Sequence, residues 1–84
     1  MIAYHFWAPN CGDCTSMKPL FAELKEDFPQ FEWKDINVRT DKSDLIQKYG
    51  ITAIPALVVQ TDTQVQKTSG TNQIEYYRIL RDSV

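Results

Sequence analysis

Ile2 to Trp7 is a run of apolar and aromatic residues interrupted only by His5 and followed by Pro9-Asn10, which predicts a short strand buried on both faces. From Gly12 to Phe28 the apolar positions are Met17, Leu20, Phe21, Leu24 and Phe28, spaced to line one face of a helix that Pro29 stops. Pro19 falls inside that helix, where it has no N–H to donate and is expected to bend the axis in the turn after Cys14. Phe31 to Val38, carrying Phe31, Trp33 and Ile36, reads as a second strand with imperfect alternation and no fixed register. Asp41-Lys42-Ser43-Asp44 offers capping side chains before Leu45, Ile46 and Tyr49, and Gly50 ends this short helix as a left-handed terminator. After a loop to Pro55, the segments Ala56 to Gln60 and Val65 to Ser69 form a hairpin across Thr61 to Gln64. Asn72 then caps a last helix, with Glu75 three residues on and Ile74, Tyr77, Leu80 and Val84 as its inward stripe.

The order β-α-β-α-β-β-α, without linker, repeat or low-complexity tract, predicts one α/β domain over residues 1–84. Its first half is a right-handed parallel β-α-β unit and its hairpin adds antiparallel strands, so a four-stranded mixed sheet with helices on both faces is expected.

Composition narrows the function. The balance of 43% hydrophobic and 24% charged residues suits a soluble globule and excludes disorder or a coiled coil for the whole chain. Nine Lys and Arg against eleven Asp and Glu leave a net charge of -2, so nothing favours nucleic acid or an anionic membrane as partner. There is no 18-residue apolar run, and Met1-Ile2-Ala3 leads straight into Tyr4-His5-Phe6 without a leader, so the expected compartment is the cytoplasm.

In such a reducing setting, two cysteines kept close together bind metal or do redox chemistry. Cys11 and Cys14 are the only cysteines, and the loop they close is too short to staple a fold through chain entropy. They fall where the first strand meets the first helix, where backbone N–H groups and the helix dipole favour a thiolate at Cys11. Cys14 lies one turn deeper. Cys11 would attack a substrate disulfide, and Cys14 would then attack the sulfur of Cys11 and release the reduced substrate. Gly12 keeps the turn between them tight. A structural zinc site takes four ligands, and the chain offers Cys11, Cys14 and His5, so metal bridging between two chains stays open as the rival.

Phe6-Trp7-Ala8-Pro9-Asn10-Cys11-Gly12-Asp13-Cys14 with Lys18-Pro19, then Tyr49-Gly50-Ile51 and Ile54-Pro55-Ala56, resembles the thioredoxin family. The resemblance covers nearly the whole chain, starting at the family's central strand without its N-terminal strand and helix. It is similar to the shortened thioredoxin or glutaredoxin-like proteins of some phages and prokaryotes. It implies a minimal thioredoxin fold, Cys11 as nucleophile, Cys14 as resolving cysteine and a cis-proline at Pro55 that sets the backbone of Ile54 beside the sulfurs. It further implies that Trp7 packs beside the active site and that Gly70 lets substrate approach. No cofactor is implied beyond the redox-active Cys11-Cys14 disulfide, and no metal. The implied partners are disulfide-containing proteins such as a ribonucleotide reductase and a thioredoxin reductase-type electron donor.

Three departures bear on this. Asn10 stands where the family has Trp, removing a flat apolar substrate contact. Asp13 replaces the usual proline between the cysteines, and its carboxylate opposes thiolate formation at Cys11. His5 replaces the family's buried carboxylate six residues before the first cysteine. A neutral imidazole there has two readings: an acceptor for the proton of Cys14 in the second step, or a core histidine bonded to backbone.

The alternatives are a glutathione-dependent glutaredoxin, of which Ser69-Gly70-Thr71-Asn72 is a partial echo, and a non-catalytic metal, iron-sulfur or adaptor module. The polar strand Val65 to Ser69, flanked by Gln64, predicts an unpaired sheet edge and a monomer.

Overall fold

The structure, a computed structural model, describes residues 1–84. The elements are β1 (Ile2–Trp7), α1 (Gly12–Asp27), β2 (Glu32–Asn37), α2 (Leu45–Tyr49), β3 (Ala56–Gln60), β4 (Val65–Ser69) and α3 (Gln73–Asp82). They build a four-stranded sheet in the order β2-β1-β3-β4. β1 runs parallel to β2 and antiparallel to β3, and β3 pairs antiparallel with β4, as the helical crossover and the hairpin require. The sheet is mixed, as the pattern predicted. No helix is long and apolar enough to cross a membrane.

Alternation along β1 and β3 splits the core in two. Ala3, Leu57 and Val59 face Met17, Leu20, Phe21 and Leu24 of α1 and Tyr76, Ile79 and Leu80 of α3. Tyr4, Phe6, Ala56 and Val58 point the other way, onto Tyr49 of α2 and a rim that includes Ile36, Ile46 and Ile51. Period-two patterning of two central strands thus places α1 and α3 on one face and α2 on the other. α1 runs on through Pro19, and its last free N–H, that of Phe28, closes onto Leu24 before Pro29.

Three local expectations are corrected. The inward stripe of α3 is Tyr76, Ile79, Leu80 and Ser83, while Ile74 is 74% exposed and Val84 64% exposed. Both registers have helical spacing, and the observed one wins because its polar groups find partners. Ser83 Oγ donates to the carbonyl of Ile79 at 2.7 Å, and the single hydroxyl proton of Tyr76 is shared between the carbonyls of Pro55 (3.1 Å) and Gly70 (2.8 Å). Asn72 caps α3 as expected, accepting from the N–H of Ile74. Second, Asp44 does not cap α2 with its side chain: it sits at φ 60, and Asp41 instead accepts from the N–H and hydroxyl of Ser43 in a local turn. Gly50, at φ 64, does terminate α2, and the N–H of Ile51 reaches back to the carbonyl of Ile46. Third, Gly12 opens α1 without a left-handed φ, and a Cβ there would meet nothing within 4 Å, so the turn does not need glycine.

Tyr76 therefore ties α3 to the segments that flank β3 and β4. Tyr76→Phe is expected to leave the Gly70 carbonyl without its donor, while the Pro55 carbonyl keeps the N–H of Gly70, and to cost about 1–3 kcal/mol, read as a lower urea midpoint at unchanged slope. An unchanged midpoint would mean that the bond contributes nothing net.

Candidate functional site

Trp7 ends β1, and a turn through Pro9 and Asn10 delivers the chain to Cys11 at the head of α1. Asn10 takes φ 61, a left-handed conformation that asparagine tolerates better than the bulky residues do. The asparagine thus has a backbone reason that the loss of a tryptophan did not suggest. Cys11 is the N-cap of α1, in extended conformation, and its sulfur accepts from the N–H of Cys14 at 3.1 Å. Its carbonyl takes the N–H of Thr15 at 3.1 Å and the Thr15 hydroxyl at 3.2 Å, which locks the first turn.

Cys11 and Cys14 are joined as a disulfide, with Cα atoms 5.2 Å apart. Their surroundings differ in the way the two-step chemistry needs. Cys11 is partly exposed and its sulfur accepts one N–H of the helix start, that of Cys14, whereas Cys14 is 3% exposed. Asp13 is exposed in the first turn, its carboxylate opposing negative charge nearby. No group of three or more His, Cys, Asp and Glu side chains is arranged to hold a metal within the chain.

Beside the disulfide a cleft of about 530 Å³ opens along α1, and it brings together His5, Trp7, Asn10 and Cys14 with Lys18 and Asp35. Ile54, Pro55 and Gly70 lie outside that cleft. Because Phe6 pairs with Ala56 and Ala56 with Ser69, these three residues stand at the same end of the sheet as Trp7 and the cysteine turn. The Ile54-Pro55 peptide is cis. The N–H of Gly70 donates to the carbonyl of Pro55 at 2.9 Å, and Gly70 holds φ 93, where a side chain is disfavoured. Ile54 itself makes no backbone–backbone hydrogen bond.

His5 is buried, with its ring stacked 3.6 Å from that of Phe21 at 17°. Its partner is not a backbone group: Nδ1 lies 3.0 Å from Oδ1 of Asp35, its neighbour in the β1-β2 register, and Nε2 is buried with no partner. Oδ2 of Asp35 accepts from Lys25 Nζ at 2.8 Å. Burial pushes the imidazole below its ordinary 6.5 and outweighs the opposing pull of Asp35. Burial alone would raise Asp35, but the hydrogen bonds and charges of Lys25 and His5 hold its carboxyl below the ordinary 3.8. Asp35 and Lys25 escaped the reading of the sequence, because only the parallel register, invisible in an imperfectly alternating strand, sets Asp35 opposite His5.

Comparison with known proteins agrees with this geometry. The family model for thioredoxin matches residues 1–79. The chain is 35% identical to thioredoxin from Bacillus subtilis (strain 168) over 65 residues, covering 76% of this chain and 62% of that protein. It is 30% identical to thioredoxin H4-2 from Oryza sativa subsp. japonica over 76 residues, 89% of this chain and 57% of that protein. It thus spans less than two thirds of the length of either relative. The X-ray structure of Fasciola hepatica thioredoxin superposes with a TM-score of 0.86 at 25% identity, covering 99% of this chain and 80% of that one. With its fold, its cysteine turn and a family model spanning almost all its residues in agreement, the chain belongs to the thioredoxin family.

Proposed function

We propose that this protein is a thiol-disulfide oxidoreductase that reduces protein disulfides by dithiol-disulfide exchange through Cys11 and Cys14. The observation that carries the proposal is the asymmetry of the pair: a partly exposed Cys11 capping α1, with a buried Cys14 one turn on whose N–H points at the Cys11 sulfur. In the reduced protein that N–H and the helix dipole favour a thiolate on Cys11. The thiolate attacks one sulfur of a substrate disulfide, the other sulfur leaves, and a mixed disulfide joins substrate to Cys11. Cys14 then attacks the Cys11 sulfur and releases the substrate as a thiol, leaving the protein oxidised.

An extended substrate segment would pair with the backbone groups of Ile54, between Pro55 and the cysteine turn, with Gly70 leaving space for its approach. Trp7, Asn10, Gly12 and Asp13 border the same approach. The disulfide is the only redox group this chemistry needs. Substrates are disulfide-containing proteins, such as a ribonucleotide reductase, and electrons come from a separate thioredoxin reductase-type donor, in a reducing compartment such as the cytoplasm. The exposed, polar β4 edge fits a monomer.

The test is equilibration of the protein in a series of glutathione redox buffers, followed by alkylation and mass spectrometry. A cooperative two-thiol transition well to the reducing side, without glutathione adducts, is expected. A Cys11 adduct near the potential of glutathione itself would favour a glutaredoxin instead. Failure to form the Cys11-Cys14 disulfide would leave a metal-binding or adaptor role.

A further inference from the structure

His5 carries a buried ring nitrogen that nothing satisfies, and it lines the same cleft as Cys14. Its other nitrogen faces Asp35, whose second oxygen is held by Lys25. An ionised carboxylate only accepts hydrogen bonds, so the Nδ1 position must carry the proton. In the neutral ring Nε2 is then a lone-pair acceptor, buried and unpartnered, in the cleft that is also lined by the cysteine that has to lose a proton before it can attack.

Resting on the exchange reading above, we propose that Asp35 is a positioning residue for the resolving step, holding His5 in the Nδ1–H tautomer so that Nε2 takes the thiol proton of Cys14. The proton moves from Cys14 Sγ to His5 Nε2, directly or across one water in the cleft. The Cys14 thiolate forms a bond to Cys11 Sγ as the bond from Cys11 to the substrate sulfur breaks, and the departing substrate thiolate takes its proton back from the imidazolium. Cys11 and Cys14 are oxidised by two electrons and the substrate is reduced by two, so the step needs no further reactant. Asp35 also stabilises the transient imidazolium, and Lys25 keeps the carboxylate ionised and directed.

The groups facing His5 can be named from each neighbouring element. Cys14, Lys18 and Lys25 line the cleft from α1, Asp35 approaches from β2, and the β3 partner is the apolar Leu57. Lys25 opposes a positive charge on the ring and Asp35 favours it. Removing the carboxylate therefore lowers the basicity of His5.

The test uses the reduced, full chain and a symmetrical aromatic disulfide whose thiolate absorbs when released. Attack by Cys11 releases the first thiolate, and resolution by Cys14 releases the second. In Asp35→Asn the second release is expected to slow at least tenfold at neutral pH, while the first changes less than twofold. The pH midpoint of the second step should move to lower values, and Asp35→Glu should restore part of the rate. In the unmodified protein, nitrogen NMR of His5 should show the Nδ1–H tautomer, a readout that requires no variant to fold. A second release indifferent to Asp35, equal slowing of both steps, or an Nε2–H tautomer overturns the inference alone. No second release from the unmodified protein overturns the exchange reading and this inference with it.

Discussion

Cys14→Ser is expected to stall the protein as a stable mixed disulfide with its substrate, and Cys11→Ser to abolish reduction outright. The two cysteines are close in sequence but not in surroundings: Cys11 is open to an incoming disulfide and Cys14 is 3% exposed. Without Cys14 the first exchange still runs, but nothing positioned within the protein can break the bond that it forms. Intact mass spectrometry of Cys14→Ser incubated with a disulfide-containing protein should show a covalent adduct at Cys11 that a small dithiol removes. Without Cys11 the remaining thiol is buried and lacks the N–H groups of the helix start, so turnover should fall on the order of 10³-fold or more. Adducts at Cys14 in Cys11→Ser, at a comparable rate, would reverse the assignment of nucleophile and resolving cysteine.

The largest effect on stability is expected at Phe6. Its side chain is 0% exposed and packs, in the smaller of the two clusters, with Tyr4, Tyr49, Ala56 and Val58. Phe→Ala at such a position removes the transfer free energy of the ring and leaves a cavity, a cost of about 3–5 kcal/mol. A protein of this length is stable by roughly 4–13 kcal/mol in all, and each kcal/mol corresponds to about 4–8 °C in Tm. Phe6→Ala should therefore melt tens of degrees lower in calorimetry and be partly unfolded near body temperature, while Ile74→Ala, at a 74% exposed position, should change little. A loss below about 1 kcal/mol would mean that the α2 face of the sheet relaxes around the missing ring.

Most of the fold was legible because its signals are local. Alternation and β-branching mark β3, the spacing of Met17, Leu20, Phe21 and Leu24 marks α1, and a glycine at φ 64 closes α2 where the pattern ended. The cysteine turn was legible for the same reason, since its geometry is contained in a few consecutive residues. What escaped depends on pairing between distant segments. Ile74 and Tyr76 both start helical stripes, and only the carbonyls of Pro55 and Gly70, brought in by the hairpin, select Tyr76. Asp35 is one of several charges on an exposed edge strand until the register sets it opposite His5. Gly12 misled in the opposite direction: glycine suggests a special turn, yet Asn10 is the residue that takes the left-handed conformation.

The strand order also governs when the molecule can come into being during synthesis. β1 is made first, but one of its two neighbours in the sheet, β3, is among the later elements to be made. When the chain has grown only through β2, the parallel pair has α1 on one side, and on the other Tyr4 and Phe6 have none of the β3 and α2 residues that bury them. Closing β1 onto β3 must gather some fifty residues at once, so the ribosome delivers no stable half-protein here. The cysteine turn can therefore leave the tunnel before the sheet and the fold that buries Cys14 are complete. In that interval both thiols are open to any oxidant, and a reducing environment around the nascent chain protects the pair before it has any catalytic role.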